Sequence, residues 1–160
     1  MKTIEIIGDN YLNNYKHIRY ASRAIIIKNS MILLSYASKE DLWMIPGGGM
    51  ENDETAMMTA IREVKEETGH VIKSSEAFLE IDEYYDDFKY VTYYVFGDVV
   101  GLEKPSLTPV EQDEKLESRW LPIKKANEIF ANYQNYAKEK FHSGIYLREV
   151  KALTYALELL

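Results

Sequence analysis

Three glutamates crowd together in residues 47–69, GGGMENDETAMMTAIREVKEETG, where Glu63, Glu66 and Glu67 fall within five positions. If this segment forms a helix with about 100° per residue, the three glutamates lie on one arc of its surface, next to a stripe of apolar residues. Like charges at this spacing cost a few tenths of a kcal/mol each, and the carboxyl-terminal half of a helix disfavours anions. A divalent cation would explain the arrangement, because Mg²⁺ takes oxygen ligands and bridges carboxylates to phosphates.

A glycine run precedes these carboxylates. Gly47, Gly48 and Gly49 can adopt backbone angles closed to other residues, so the chain can approach a ligand or metal closely there. The run is not a Walker A loop, because no Gly-Lys-Ser/Thr follows, and it lacks the spacing of a dinucleotide fingerprint. The glycines therefore favour the same small, metal-assisted site as the glutamates.

The spacing of these residues resembles the Nudix box. Gly48 is followed after five residues by Glu54, and after seven more by the segment REVKEETG, residues 62–69. Every position of the family pattern is met except the last apolar one, which holds His70. The lead-in WMIPGGG and the strand-like segments ahead of it extend the resemblance over most of the chain.

The resemblance implies an α/β fold, an α/β/α sandwich with a mixed β-sheet between helices, formed by one domain over residues 1–160 with its box at 48–69. Such enzymes use Mg²⁺ or Mn²⁺ to hydrolyse the diphosphate of a nucleoside diphosphate linked to another moiety. The cation neutralises the diphosphate and acidifies a water, which attacks phosphorus.

The resemblance also assigns roles to residues. The implied metal ligands are Glu63, Glu66, Glu67 and the carbonyl of Gly47. Arg62 is expected to orient a box glutamate, and Glu54 to brace the loop against the helix.

The general base is open between Glu63 and the acidic segment at 110–117. Within that segment Glu114 is the first choice and Glu111 the second, because the family often places a base or an extra ligand before a strand like the one bearing Trp120. A solvated charge run is the alternative explanation of the segment.

The expected substrate contacts are Arg23, Gly47, Gly48 and Tyr36. Arg23 could reach a phosphate from a strand, and Tyr36 could stack on a base. An exposed strand arginine and a packing ring are the alternatives.

The elements around the box follow from hydrophobic periodicity. Thr55 and Gly69 are expected to cap the helix between them. Asn29-Ser30 and residues 84–87 are the expected turns of two hairpins. The predicted strands are 18–28, 31–37, 76–83, 89–100 and a short one near 119–121, and the predicted later helices are 124–140 and 144–160.

Two features add smaller expectations. Met58 stands where a glutamate would complete a capping box with Thr55, which predicts a slightly weaker helix start. In the last helix an apolar stripe predicts packing on the core, with a homodimer contact as the alternative. The stripe comprises Leu147, Val150, Leu153, Leu157 and Leu160.

Composition excludes several other classes of protein. A chain of 160 residues with 46% hydrophobic and 28% charged residues is typical of one globular domain. The absence of cysteine excludes disulfides, a Cys-based zinc site and a thiol nucleophile. A net charge of −7 disfavours polymeric nucleic acid as a partner. Without a signal-like or membrane-length apolar segment, the expected location is the cytoplasm.

Other functions remain as alternatives. A catalytically silent Nudix-like module that binds nucleotides should have a degenerate box, whereas this box is intact. A prenyl diphosphate isomerase of the same scaffold normally relies on a cysteine. A plain metal-binding or protein-interaction domain would release no phosphate from a nucleotide conjugate. The substrate itself is not predicted, and residues 82–90 and 104–118 are expected to influence it.

Overall fold

The computed structural model describes residues 1–136 and 140–160. Six strands precede the helix of the box along the described chain, and four strands and three further α-helices follow it. In the described residues the strands are β1 Lys2–Ile7, β2 His17–Ile25, β3 Ile27–Lys28, β4 Met31–Ala37, β5 Leu42–Met44, β6 Gly47–Gly49, β7 His70–Ser74, β8 Leu79–Tyr85, β9 Phe88–Leu102 and β10 Leu116–Pro122. The α-helices are α1 Ala56–Thr68, α2 Pro109–Asp113, α3 Ile123–Ala131 and α4 Lys140–Leu159, with a 3₁₀ turn at Asn132–Tyr136.

The strands form two sheets. The larger has the order β1-β8-β9-β2-β6, with β7 joining β9, and it contains both parallel and antiparallel pairs. The smaller has the order β10-β4-β3, with β5 joining β4. The mixed character expected from the sequence is therefore confirmed.

Helices cover both faces of the strands. On one face α1 packs on a cluster that includes Ala24, Ile26 and Val64. On the other face α3 and α4 enclose a larger cluster that includes Ile25 and Leu153. Because successive strand residues point to opposite faces, Ile25 and Ile26 enter different clusters. This is the predicted α/β/α sandwich.

The local signals around α1 are confirmed. The Thr55 side chain accepts a hydrogen bond from the Met58 backbone N–H at 3.2 Å, and Gly69 ends the helix with φ +76°. Asn29 and Ser30 both have positive φ, as a two-residue hairpin turn requires. The second predicted turn is narrower than expected, because β8 and β9 pair as far as Tyr85 and Phe88.

Two predictions of the surrounding elements were wrong. The acidic segment at 110–117 was not predicted to be helical, but its first four residues lie in α2, which begins with a capping box formed by Thr108 and Glu111. The helix predicted at 124–140 ends at Ala131, and residues 137–139 of that prediction lie outside the described residues.

The predicted stripe on the last helix is only partly correct. Leu153 is fully buried, but Leu157 is 37% exposed and Leu160 is 74% exposed. The buried face of α4 instead uses Ala152 and Ala156, whose small side chains allow close packing that a search for large apolar residues overlooks. Within the described residues, no helix combines the length and apolarity needed to cross a membrane.

Candidate active site

The glycine strand β6 lies directly against β2 and α1. Gly47 pairs with Arg23 and has φ +154°, and a Cβ added there would lie 2.6 Å from the Arg23 Cα. A Cβ on Gly48 would lie 2.6 Å from the carboxyl carbon of Glu63. The run therefore lacks side chains because a strand and a carboxylate approach its backbone closely.

One guanidinium gathers three of the carboxylates. Arg62 donates from Nε and Nη2 to the two oxygens of Glu54, each at 2.9 Å. Its Nη1 reaches Glu63 Oε1 at 2.9 Å and Glu66 Oε2 at 3.2 Å, and Nη2 also donates to the Gly49 carbonyl at 3.0 Å. Arg62 thus ties the glycine strand, the following loop and α1 together.

Glu54 is held as an anion in this arrangement. Its hydrogen bonds with Arg62 lower the pKa of the carboxyl to about 2. The Glu51 backbone N–H donates to Glu54 Oε1 at 2.8 Å, and the Thr59 hydroxyl does so at 3.3 Å. With every one of these contacts made to the loop or to α1, Glu54 lies where the resemblance expects a brace.

Glu67 has the opposite environment. Its side chain is buried against β4, where the Ser35 hydroxyl donates to Oε2 at 2.8 Å. Burial raises the pKa of this carboxyl to about 8, and the nearby charge of Arg23 only partly opposes the shift. Burial also raises the pKa of Glu63, although Arg62 opposes it. Without a cation, this part of the site disfavours negative charge.

The carboxylates are neighbours without forming a closed cage. Glu63 raises the pKa of Glu67, and Glu66 raises that of Glu63, as expected for adjacent like charges. Among residues 1–136 and 140–160, no three Asp, Glu, His or Cys side chains converge tightly enough to form a complete metal cluster. Glu63 and Glu66 instead point their oxygens at Arg62.

The donor chemistry nevertheless fits a hard divalent cation. All candidate ligands offer oxygen, which Mg²⁺ and Mn²⁺ prefer over softer donors. Three carboxylates contact one guanidinium and a fourth, Glu67, lies beside them, so the group carries an excess of negative charge that Arg62 does not cancel.

The structure distinguishes the two acidic candidates near α2. Glu111 is the one whose charge raises the pKa of both Glu63 and Glu67. Glu114 lies at the end of α2, where its carbonyl accepts from the Lys39 backbone N–H. The preference for Glu114 came from the resemblance, in which a base or an extra ligand often precedes a strand like the one that bears Trp120.

Of the two side chains expected to contact the substrate, Arg23 lies in the site and Tyr36 does not. Arg23 donates from Nη1 to the Ile45 carbonyl at 2.7 Å and acts electrostatically on Glu67, so it belongs to the site. Tyr36 follows Ser35 on β4 and therefore points to the opposite face from Glu67. Its ring stacks on Trp43 at 4.1 Å, and its hydroxyl donates to Asp41 at 2.6 Å. The structure does not bring Tyr36 together with the carboxylates.

Sequence reasoning missed Ser35 as a residue of the site. It is the one hydroxyl in the apolar run MILLS, and its side chain is completely buried. A buried hydroxyl needs a partner, so this interruption was a usable signal, but nothing local indicated that the partner is a glutamate 32 positions away.

Comparison with known proteins agrees with this geometry. A model of the NUDIX domain matches residues 18–142, which include the whole box and most of both sheets. This chain belongs to the Nudix hydrolase family.

Individual relatives are distant. The CMP-5'-(N-acetyl-N-hydroxy-3-aminopropyl)phosphonate hydrolase of Streptomyces rubellomurinus is 29% identical over 136 residues, covering 79% of this chain. The matched part spans 63% of that protein's length.

Solved structures show the same fold. A NUDIX hydrolase from Nitrosomonas europaea superposes with a TM-score of 0.60 at 20% identity, covering 79% of this chain and 90% of that one. The MutT protein from Methanosarcina mazei Go1 superposes with a TM-score of 0.54 at 22% identity, covering 72% and 83%. A UDP-X diphosphatase also gives 0.54 at 19% identity, covering 66% and 51%.

Proposed function

We propose that this protein is a divalent-metal-dependent hydrolase that cleaves the diphosphate linkage of a nucleoside diphosphate joined to another moiety. One observation carries the proposal. Arg62 gathers Glu54, Glu63 and Glu66 beside the buried Glu67, which leaves an excess of carboxylates next to a glycine strand. Such an excess is unfavourable unless a cation completes it.

In this proposal Glu63, Glu66, Glu67 and the Gly47 carbonyl hold Mg²⁺ or Mn²⁺. When bound, the ion supplies positive charge against the diphosphate and acidifies water. Arg62, through its bonds to the Gly49 carbonyl and to Glu54, holds the glycine strand against α1. The candidate ligand oxygens of the glutamates and of Gly47 therefore stay on the same side of the helix.

The base that removes a proton from the attacking water is proposed to be Glu63 or a glutamate of the acidic segment. Glu63 is fixed by Arg62 beside Gly48. Within the acidic segment Glu111 is tested before Glu114, because its charge acts on both Glu63 and Glu67. A base must be deprotonated to work, so its protonation produces the acid limb of a pH–rate profile. Loss of that limb in Glu111→Gln would assign the base to α2.

The names of similar proteins indicate which substrates to try. One relative is named for a CMP conjugate, and one structural neighbour for UDP-X. We propose a small nucleotide conjugate of this kind as the substrate and expect no activity on polymeric nucleic acid. The cytoplasmic location and the homodimer expected from the sequence stay predictions.

The test is a panel of nucleotide conjugates incubated with Mg²⁺ or Mn²⁺ and separated by chromatography. The panel contains cytidine and uridine diphosphate conjugates, ADP-ribose and nucleoside triphosphates. Turnover of one class, abolished by a chelator, is the expected result. Absence of turnover on the whole panel would favour the silent nucleotide-binding module instead.

Glu67→Gln sharpens that test. The amide side chain would keep the shape and the contact with Ser35 but lose the charge, so we expect an intact fold and about a 10³-fold loss of turnover, a size typical of losing one stabilising group. Glu117→Gln on β10 is the matched control, since this exposed glutamate pairs only with Arg119 among the described residues. Unchanged turnover in Glu67→Gln would refute the metal site.

A further inference from the structure

The larger sheet ends in an open edge on the side away from the box. In the order β1-β8-β9-β2-β6 the glycine strand β6 lies at one end, and β1 lies at the other. In the part of the chain that the structure describes, β8 is the only strand that pairs with β1. An edge strand presents a row of unpaired N–H and C=O groups, so it is a template for pairing with another strand.

The hydrogen bonds of β1 show which backbone groups point to this edge. The N–H groups of Lys2 and Gly8 donate to carbonyls of the β8 segment at 3.1 and 2.8 Å. Because successive residues of a strand alternate in direction, the even-numbered residues of β1 bond to β8. The N–H and C=O groups of Thr3, Glu5 and Ile7 therefore point to the open edge.

This edge lacks the features that usually prevent pairing between molecules. β1 contains no proline, and its register with β8 is regular along its whole length. Its one lysine, Lys2, lies over the Tyr155 ring of α4, 4.3 Å from the ring centre. Met1 and Ile7 are 70% and 64% exposed although both are apolar. A regular edge strand with exposed apolar side chains favours association.

We propose that two copies of this chain associate through β1, which pairs antiparallel with β1 of the second copy about a two-fold axis between the two Ile4 residues. Thr3 of each copy then lies opposite Glu5 of the other, and the two larger sheets become one continuous sheet. A two-fold dimer of this kind closes on itself, so β1 leaves no edge for a third copy. The proposal goes beyond the proposed function and does not depend on it.

The backbone of β1 agrees with this register. In an antiparallel pair, alternate pairs of opposite residues exchange both of their N–H···O=C bonds. Thr3 and Glu5 carry groups that point to the open edge, so they meet as such a pair on both sides of the axis. A two-fold axis perpendicular to the sheet keeps each face of the sheet on the same side. Odd residues must therefore lie opposite odd residues, and even residues opposite even ones.

The side chains select one of the registers that this rule allows. In the proposed register the exposed Met1 lies opposite the exposed Ile7 of the second copy, and Ile4 lies opposite Ile4. A shift by two residues in one direction places Glu5 opposite Glu5, and like charges directly opposite each other are destabilising. A shift by two residues in the other direction places Met1 opposite Glu5. The proposed register is therefore the one that brings the exposed apolar side chains together.

The box stays open in this dimer. The glycine strand β6 lies at the other end of the same sheet, separated from β1 by the three strands β8, β9 and β2. Substitutions in β1 should therefore leave the binding of Mn²⁺ unchanged. A failure of the dimer and a failure of the proposed function are thus seen in different measurements.

Sedimentation velocity of the full chain, over a wide range of protein concentrations, tests the proposal. The wild type should pass from monomer to dimer as the concentration rises. Thr3→Glu would place a second carboxylate opposite Glu5, whereas Thr3→Lys would place an ammonium group there. The first variant should weaken the dimer about threefold or more, and the second should tighten it by a similar factor, since two symmetric pairs change in each variant.

Glu5→Pro is a second way to disrupt the pairing. It removes a backbone N–H that β8 does not use, and proline is tolerated on an edge strand where the N–H faces outward. We expect a folded monomer, with circular dichroism as the check of the fold. Leu157→Ser is the control for the alternative dimer contact through the stripe of α4, and it should leave the dimer intact.

Three results would overturn the proposal. The first is a wild type that stays monomeric at every concentration. The second is a dimer that Thr3→Glu and Thr3→Lys change in the same direction, because the register requires opposite effects. The third is a dimer that Leu157→Ser dissociates and Glu5→Pro leaves unchanged, which would place the contact on α4.

Discussion

Two groups of buried charge lie on opposite sides of the strands, and they are balanced differently. The box group on the α1 side has four carboxylates, of which Arg62 contacts Glu54, Glu63 and Glu66, while Arg23 supplies the positive charge that acts on the buried Glu67. The helix group on the α4 side places Arg148 between the two carboxylates Glu83 and Glu149. The first group has negative charge to spare, whereas the second is closer to neutral, and its Arg148 Nη2 has no hydrogen-bond partner in the part of the chain that the structure describes.

The difference separates two uses of buried charge. Excess carboxylates at a half-open site attract a cation, because burial makes their ionisation unfavourable until positive charge arrives. A nearly compensated group whose hydrogen bonds are made holds its members rigidly. The following changes test whether the two groups behave so differently.

Glu149→Ala should have the largest effect on stability. It leaves the Arg148 charge, the Tyr94 hydroxyl and the Ile45 N–H without their common acceptor. Breaking a buried charge pair in this way costs about 3–5 kcal/mol. Urea unfolding measures the loss, with the exposed Glu158→Ala on the same helix as the control. Equal unfolding free energies for the two variants would show that the helix group is not a structural unit.

Glu54→Gln should have an effect that depends on pH. The pKa of Glu54 is about 2 in the folded protein against an ordinary 4.5, so its ionised form stabilises the fold above pH 4.5. That contribution is lost as pH falls from about 4.5 to about 2. Since one unit corresponds to 1.36 kcal/mol, the full contribution is about 3 kcal/mol.

The measurement compares urea unfolding of wild type and Glu54→Gln between pH 7 and pH 2. The difference in unfolding free energy should be constant near neutrality and shrink in acid. The exposed Glu76→Gln provides the control for the substitution of a glutamate by glutamine. A wild-type advantage that persists undiminished at the acid limit would mean that Arg62 does not hold Glu54 as an anion.

Met58→Glu should have the smallest effect. Thr55 already accepts from the Met58 backbone N–H, and Met58 is 52% exposed, so a glutamate could return a bond to the Thr55 backbone. We expect a gain of about 0.5–1 kcal/mol in thermal unfolding. Met58→Leu, which has no acceptor, should give none. An equal gain in Met58→Leu would exclude the capping explanation.

The sequence predicted the box group because its members lie close together in the chain. Helical periodicity places Glu63, Glu66 and Glu67 on a shared arc of one helix, whereas the roles of Glu54 and Arg62 were expected from the resemblance. The caps at Thr55 and Gly69 and the turn at Asn29-Ser30 were also predicted, because each of them depends on residues that are neighbours in the chain.

The helix group could not be predicted in that way. Glu83, Tyr94 and Glu149 come from two strands and a helix that only the folded chain brings together. The strand β1, which forms one edge of the larger sheet, also went unrecognised among the polar residues of the N-terminal segment. Glu111 was ranked below Glu114 on the resemblance alone, and the capping box of Thr108 and Glu111 that begins α2 was not recognised.

The central claim is that the box group holds the cation and the helix group does not. Titration with Mn²⁺, followed by electron paramagnetic resonance, tests it without requiring a substrate. Wild-type protein and Glu83→Gln should bind Mn²⁺ equally well, whereas Glu67→Gln should bind it about 10–100-fold more weakly, as expected when a metal site is altered. Equal binding by wild type and Glu67→Gln would contradict the account.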